Sequence, residues 1–273
     1  MSLSVFEIEH CDHVATLWLA NPAKRNAMGA PFWTELPRAM DDLGRDPAVR
    51  AIVVAARGPH FTAGLDLSGM AGIMGGGAQP PASAAARRQR TLAEITRLQH
   101  SISAVADCPK PVIAAVHGYC IGGGVDLITA CDVRLAATDA IFSIRETRIA
   151  IVADVGTLQR LPGIVGRGIA AELALTGDDF GAERARDIGL VNAVHADGPA
   201  VQDAARAMAA RIAANSPLAV QGTKQVLRYC QGKSVEDGLA YVAAWNAAFL
   251  ESDDLEEAIT AFFEKRPAVF SGH

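Results

Sequence analysis

Apolar and polar residues alternate through "SVFEIEHCDHVATLWLA", with a break near Cys11 to His13, and a period of two predicts two β-strands joined by a turn. "NPAKRNAM" ends the alternation with Asn-Pro and paired basic residues, the composition of an exposed loop. In "APFWTELPRAMDDLGRD" the apolar spacing becomes helical despite an internal Pro37. "VRAIVVAA" is apolar without alternation and is bounded by charge and by Arg57-Gly58-Pro59, which predicts a strand covered on both faces in a parallel sheet. "FTAGLDL" follows as a strand-end loop. A Gly-rich stretch from Gly69 to Pro81 is expected to be a mobile insertion, and a long helix covers "SAAARRQRTLAEITRLQHSISAVADC".

The pattern then repeats. "KPVIAAVHG" is another buried strand, "GGGVDLITAC" opens a helix at its end, and "DVRLAATDAIFSI" supplies two more short strands. Strand alternating with helix predicts an α/β core with parallel pairing. After Pro162 the segments are nearly all helical and are broken at Gly, Asn and Pro, so residues 1–200 are expected to form the core and residues 201–273 a C-terminal helical region. No repeat of a solenoid period is visible.

Composition narrows the partners. Of 273 residues half are hydrophobic, enough for a sizeable core, and a net charge of -5 argues against a general nucleic-acid surface. Five scattered cysteines fit reduced thiols better than a disulfide framework. His117, Cys120 and Cys131 lack the pair spacing of a metal site, so no metal is expected. No apolar run approaches a membrane span, the first residues lack a basic, then apolar, leader pattern, and the terminal "SGH" is no peroxisomal address. The expected location is the cytosol.

The chemistry gathers between Gly118 and Pro162. Gly122, Gly123 and Gly124 lie between strand and helix, where free amides stabilise an anion. The spacing is neither G-x-G-x-x-G nor a Walker loop, which leaves an enolate oxygen as a candidate besides phosphate, with the Leu65 amide of "FTAGLDL" as a second donor. The same glycines could serve only close strand-helix packing. Three acids stand nearby. Asp126 could stabilise a helix terminus, Glu146 could pair with Arg145 or Arg148 at the surface, and Asp154 could cap the next helix. Together they would also suit proton transfer beside a thioester, which needs an oxyanion hole and carboxyls of tuned pKa.

"AAVHGYCIGGGVDLITACDVR", with "FTAGLDL" before it and "LQRLPGIVGRGIAAELALTG" after it, resembles the enoyl-CoA hydratase/isomerase (crotonase) superfamily over nearly the whole chain, through "FFEKRPAVF". The resemblance implies a crotonase-like spiral of repeated β-β-α turns with a C-terminal helical, trimerising region, and a homotrimer or homohexamer. It implies an acyl-CoA thioester as substrate with no separate cofactor, since coenzyme A is part of the substrate. The oxyanion donors would be the amides of Leu65 and Gly123. Coenzyme A would lie by Lys24, Arg25, Ala27, Ala63 and Asp66, with Lys265 reaching a neighbouring subunit's coenzyme A, and the acyl pocket would involve Met70, Ile73, Met74, Ile149 and Phe249. Lys24, Arg25 and Lys265 could equally be solvated surface charges.

Within that family the hydratases carry two glutamates at the places of Asp126 and Glu146 and glycine at the place of Asp154. The acid in "ADVGTLQRLP" and the shortened first acid therefore resemble dienoyl-CoA isomerases. Glu146 would take a proton from C2 and Asp154 give one to C6, or the reverse, while Asp126 tunes the pair. The resemblance leaves two other readings open: a 2-enoyl-CoA hydratase with Asp154 as a helix cap, and a non-catalytic acyl-CoA-binding member.

Overall fold

The computed structural model describes residues 3–69 and 83–273. The N-terminal hairpin is antiparallel, β1 (Phe6–Cys11) against β2 (Val14–Leu19), and every later neighbour in the main sheet is parallel: β3 (Ala51–Ala56), β4 (Val112–Val116), β6 (Val133–Ala137) and β9 (Ala193–His195). The order is β1-β2-β3-β4-β6-β9. A second sheet orders β5 (Tyr119–Ile121), β7 (Ile141–Ser143) and β8 (Phe180–Gly181), and single bridges extend it backwards, Thr62 to Cys120 and Met28 to Leu65.

These pairings make a spiral. Each turn sends one strand into the main sheet, one segment into the second stack, and then a helix: β2, Met28 and α1 (Ala30–Arg45); β3, Thr62 and α2 (Ala84–Asp107); β4, β5 and α3 (Gly123–Thr129); β6, β7 and α4 (Thr157–Val165). This is the β-β-α repeat expected from the resemblance. The short strands β8 and β9 are the exceptions in the segment after Pro162, expected to be nearly all helical. β9 pairs with β6 and β8 with β7, so each extends an existing sheet by only a few residues, too short for a periodic sequence signal.

The continuous apolar runs are explained by two cores. In β3, Ile52 and Val54 face the larger core with Leu17, Phe32, Leu36 and Ile102, while Ala51, Val53 and Ala55 face the other side. That second face is covered by α7 (Gly198–Ala213) through Val201, Ala205, Ala209 and Ala213, four residues apart on one helix stripe. Three alanines in that stripe let the helix lie close on the strands. The sheet's second layer thus comes from residues beyond position 200.

The remaining helices are α5 (Arg167–Thr176), α6 (Ala182–Asp187), α8 (Pro217–Tyr229), α9 (Val235–Phe249) and α10 (Asp253–Glu264). Helix α8 is held to the spiral by Lys224, whose ammonium donates to the Lys110 carbonyl at 2.9 Å and to the Asp132 carboxylate at 2.7 Å. The outer helices leave Leu227, Val235, Leu239, Phe262 and Phe263 exposed.

Candidate active site

The spiral stacks equivalent loop positions above one another. Thr62, Cys120 and Phe142 are lateral partners in the second stack, so the residues that follow them, Leu65, Gly123 and Glu146, leave adjacent strands on the same side. Neighbouring strands lie about 4.8 Å apart. Two amides and one carboxylate therefore arrive within a few ångströms from three separate turns.

Backbone geometry opens this space. Gly64 has φ +83°, and a Cβ there would stand 2.5 Å from the Ile121 carbonyl oxygen and 3.7 Å from the Gly123 nitrogen. Only glycine brings the Leu65 loop so close to the Gly123 amide. Among the described residues neither the Leu65 nor the Gly123 amide donates to a protein acceptor, whereas the flanking groups are committed: the Met28 amide donates to the Gly64 carbonyl and the Asp66 amide to the Met28 carbonyl. Gly123 and Gly124 serve packing as well, since a Cβ would meet Met28 Sδ at 2.7 Å or Thr62 Cγ2 at 2.6 Å.

Glu146 begins a short 3-10 turn after β7, and its Oε1 stands 3.2 Å from where a Cβ on Gly122 would be. Among the described residues it makes no surface ion pair: Arg145 binds Asp179 and Arg148 binds Asp178, which leaves Glu146 Oε2 buried and without a partner there. Burial, reinforced by the charge of Asp126, pushes its carboxyl up to about 7.

Asp126 is fully buried in α3, and burial with the nearby Asp154 charge raises its carboxyl to about 6 against the opposing hydrogen bond from Thr157. That bond removes helix capping from the readings of Asp154. The residue flanking α4 is Gly156, not Asp154, and the first amide of the helix, Thr157 N, donates to Asp126 Oδ1 at 2.5 Å. The helix start is satisfied by an acid from another helix, so Asp154 remains a half-buried acid whose carboxyl burial also raises. Gln99 of α2 fixes its backbone by donating to the Asp154 carbonyl at 2.7 Å. Gln99, Thr157 and Arg160 were not singled out from sequence, because backbone-directed bonds between distant elements leave no spacing signal.

The expected coenzyme A residues are partly gathered. The loop of Lys24, Arg25 and Ala27 is tied to the Ala63–Asp66 loop by Ala63 N donating to the Arg25 carbonyl at 3.0 Å, and by Lys24 against Asp66 at 3.5 Å. Buried Asn26 ties the first loop to the stretch after β3, donating to the carbonyls of Arg57 and His60. Lys24 and Arg25 remain exposed. Lys265 ends α10 in the left-handed region, and within one chain nothing among the described residues joins it to this cluster. Ile149 and Phe249 are exposed, and Met70, Ile73 and Met74 lie outside the described residues.

Residues 9–273 match the family model described as Enoyl-CoA hydratase/isomerase. A mitochondrial Delta(3,5)-Delta(2,4)-dienoyl-CoA isomerase of Dictyostelium discoideum is 45% identical over 94% of this chain and 87% of its own. A peroxisomal one of Arabidopsis thaliana is 46% identical over 93% and 91%. The crystal structure of an enoyl-CoA hydratase from Bacillus anthracis superposes with a TM-score of 0.89 at 28% identity, covering 99% of this chain and 100% of that one. The compartments in the relatives' names overturn the expectation of a cytosolic protein. Unpaired cysteines do not by themselves select one compartment.

Proposed function

The chain belongs to the enoyl-CoA hydratase/isomerase family, and we propose the following route by which it acts as an isomerase that converts 3,5-dienoyl-CoA to 2,4-dienoyl-CoA. The thioester oxygen accepts from the amides of Leu65 and Gly123. Ionised Glu146 takes a proton from C2, and the electron pair moves into the conjugated dienolate whose oxygen the two amides hold; each donor is worth about 3 kcal/mol in comparable holes. Asp154, the second carboxyl of the site, then delivers a proton to C6. The carbonyl reforms, double bonds settle at C2–C3 and C4–C5, and the enzyme resets when Glu146 passes its proton to solvent and Asp154 regains one.

The observation that carries this route is that Asp154 is a half-buried acid released from helix capping by Asp126, so two carboxyls rather than one are available for carbons several ångströms apart. Asp126, spent on the Thr157 amide, tunes Glu146 by its charge. Coenzyme A would run along Lys24, Arg25, Ala27, Ala63 and Asp66, with the reaction placed in fatty-acid β-oxidation. The apolar side chains left bare on α8 to α10 support assembly into a homotrimer or homohexamer, in which Lys265 would reach a neighbouring subunit's coenzyme A.

The test is spectrophotometric. Wild type should build conjugated-diene absorbance from 3,5-dienoyl-CoA and Asp154→Asn should not. Hydration of 2-enoyl-CoA that survives the substitution, without diene formation, would replace this route with a hydratase mechanism.

A further inference from the structure

Arg160 of α4 is half-buried and points back over its own helix start. Its Nη1 lies 1.7 Å from where a Cβ on Gly156 would be and donates to the Val155 carbonyl at 3.4 Å, while Nη2 donates to Ser103 Oγ of α2 at 3.1 Å. Gly156 has φ +135°, a conformation closed to other residues, and it immediately precedes the Thr157 amide that binds Asp126. Ser103 is one turn beyond Gln99, the residue that holds the Asp154 carbonyl, so a single face of α2 braces both ends of the acid-bearing loop.

We propose that Arg160 is a positioning residue for the acid set: braced by Ser103, its guanidinium fixes the Gly156 turn that aims the Thr157 amide at Asp126, and it sets positive charge beside that one carboxyl. This rests on the isomerase reading of Asp126, Glu146 and Asp154. The charged and titratable groups around Arg160 are Asp126 of α3, Asp107 at the end of α2, Arg228 of α8 and the Cys131 thiol. Asp107 is already paired with Arg228 at 2.6 Å. The groups facing Asp126 are Asp154, Glu146, Arg160 and the buried Cys120 thiol. The cation acting on Asp126 is therefore Arg160.

The test is an infrared titration of the carboxyl bands of the substrate-free protein, with the Asp126 band identified by its loss in Asp126→Asn, read beside kcat for diene formation. In Arg160→Gln the Asp126 midpoint should rise and kcat should fall at least tenfold. Arg160→Lys should return the midpoint towards wild type while leaving kcat reduced, because an ammonium cannot hold Val155 and Ser103 together. An unmoved midpoint in folded Arg160→Gln overturns the proposal. If that variant does not fold, Ser103→Ala carries the test: a raised midpoint or lowered kcat supports it, and both equal to wild type overturn it. The titration needs no substrate, so failure of the wild type to form a diene would sink the isomerase reading separately.

Discussion

The carboxylate of Asp126 and the backbone amide of Thr157 are joined by a 2.5 Å hydrogen bond, so one acid both begins helix α4 and charges the site beside Glu146. The two duties can be separated. Asp126→Asn retains an acceptor for Thr157 but removes the charge, and Glu146 should then ionise more easily. The wild-type kcat/KM should rise with pH through a limb near about 7, where Glu146 ionises, and the limb should move down in Asp126→Asn. Asp126→Ala loses the bond as well and should cost about 0.5–2 kcal/mol in urea unfolding.

Glu146→Gln should lower kcat by about 10²–10⁴-fold, the usual worth of a positioned base. The same change should stabilise the protein at alkaline pH. The folded carboxyl sits at about 7 against an ordinary 4.5, so the folded state binds this proton more tightly than the unfolded chain. Stability present below pH 4.5 is lost as pH rises through about 7. Thermal unfolding should find the variant no more stable than wild type at pH 4 and more stable at pH 8, by about 1–3 kcal/mol.

Gly64→Ala should fail by folding rather than by chemistry alone. The added methyl would stand 2.5 Å from the Ile121 carbonyl oxygen, a backbone atom that cannot swing aside, at a φ of +83°. A loss of about 2 kcal/mol or more in denaturant unfolding is expected.

Lys224→Met should loosen α8 without touching the acids. Its side chain is only 10% exposed and satisfies both the Lys110 carbonyl and the Asp132 carboxylate. Hydrogen exchange in α8 should accelerate, with about 1–3 kcal/mol lost in urea unfolding.

The spiral was legible because its strands are buried on both faces, and Val53 and Val54, facing opposite cores, leave a run with no polar residue. Leu65, Gly123 and the three acids were legible through motif resemblance. The hand-off of the helix start from Asp154 to Asp126 was not: Asp126 and Thr157 are 31 residues apart, and the bond is made by a backbone amide that any residue could offer. Arg160 was hidden for a related reason, since an arginine in a helix reads as a solvated charge until Gly156 and Ser103 are seen beneath it.

The covering of the sheet by α7 bears on how the chain leaves the ribosome. The strands add in nearly sequential order, so β1 to β6 can pair as they emerge, each beside one already formed. The face carrying Val14, Trp18, Val53, Ile113 and Leu135 stays bare until Ala213 has been made, because Val201 to Ala213 is the stripe that seals it. During that interval the nascent chain displays a broad apolar surface. A growing chain stalled before Ala213 is thus a natural client for a chaperone that binds apolar surface.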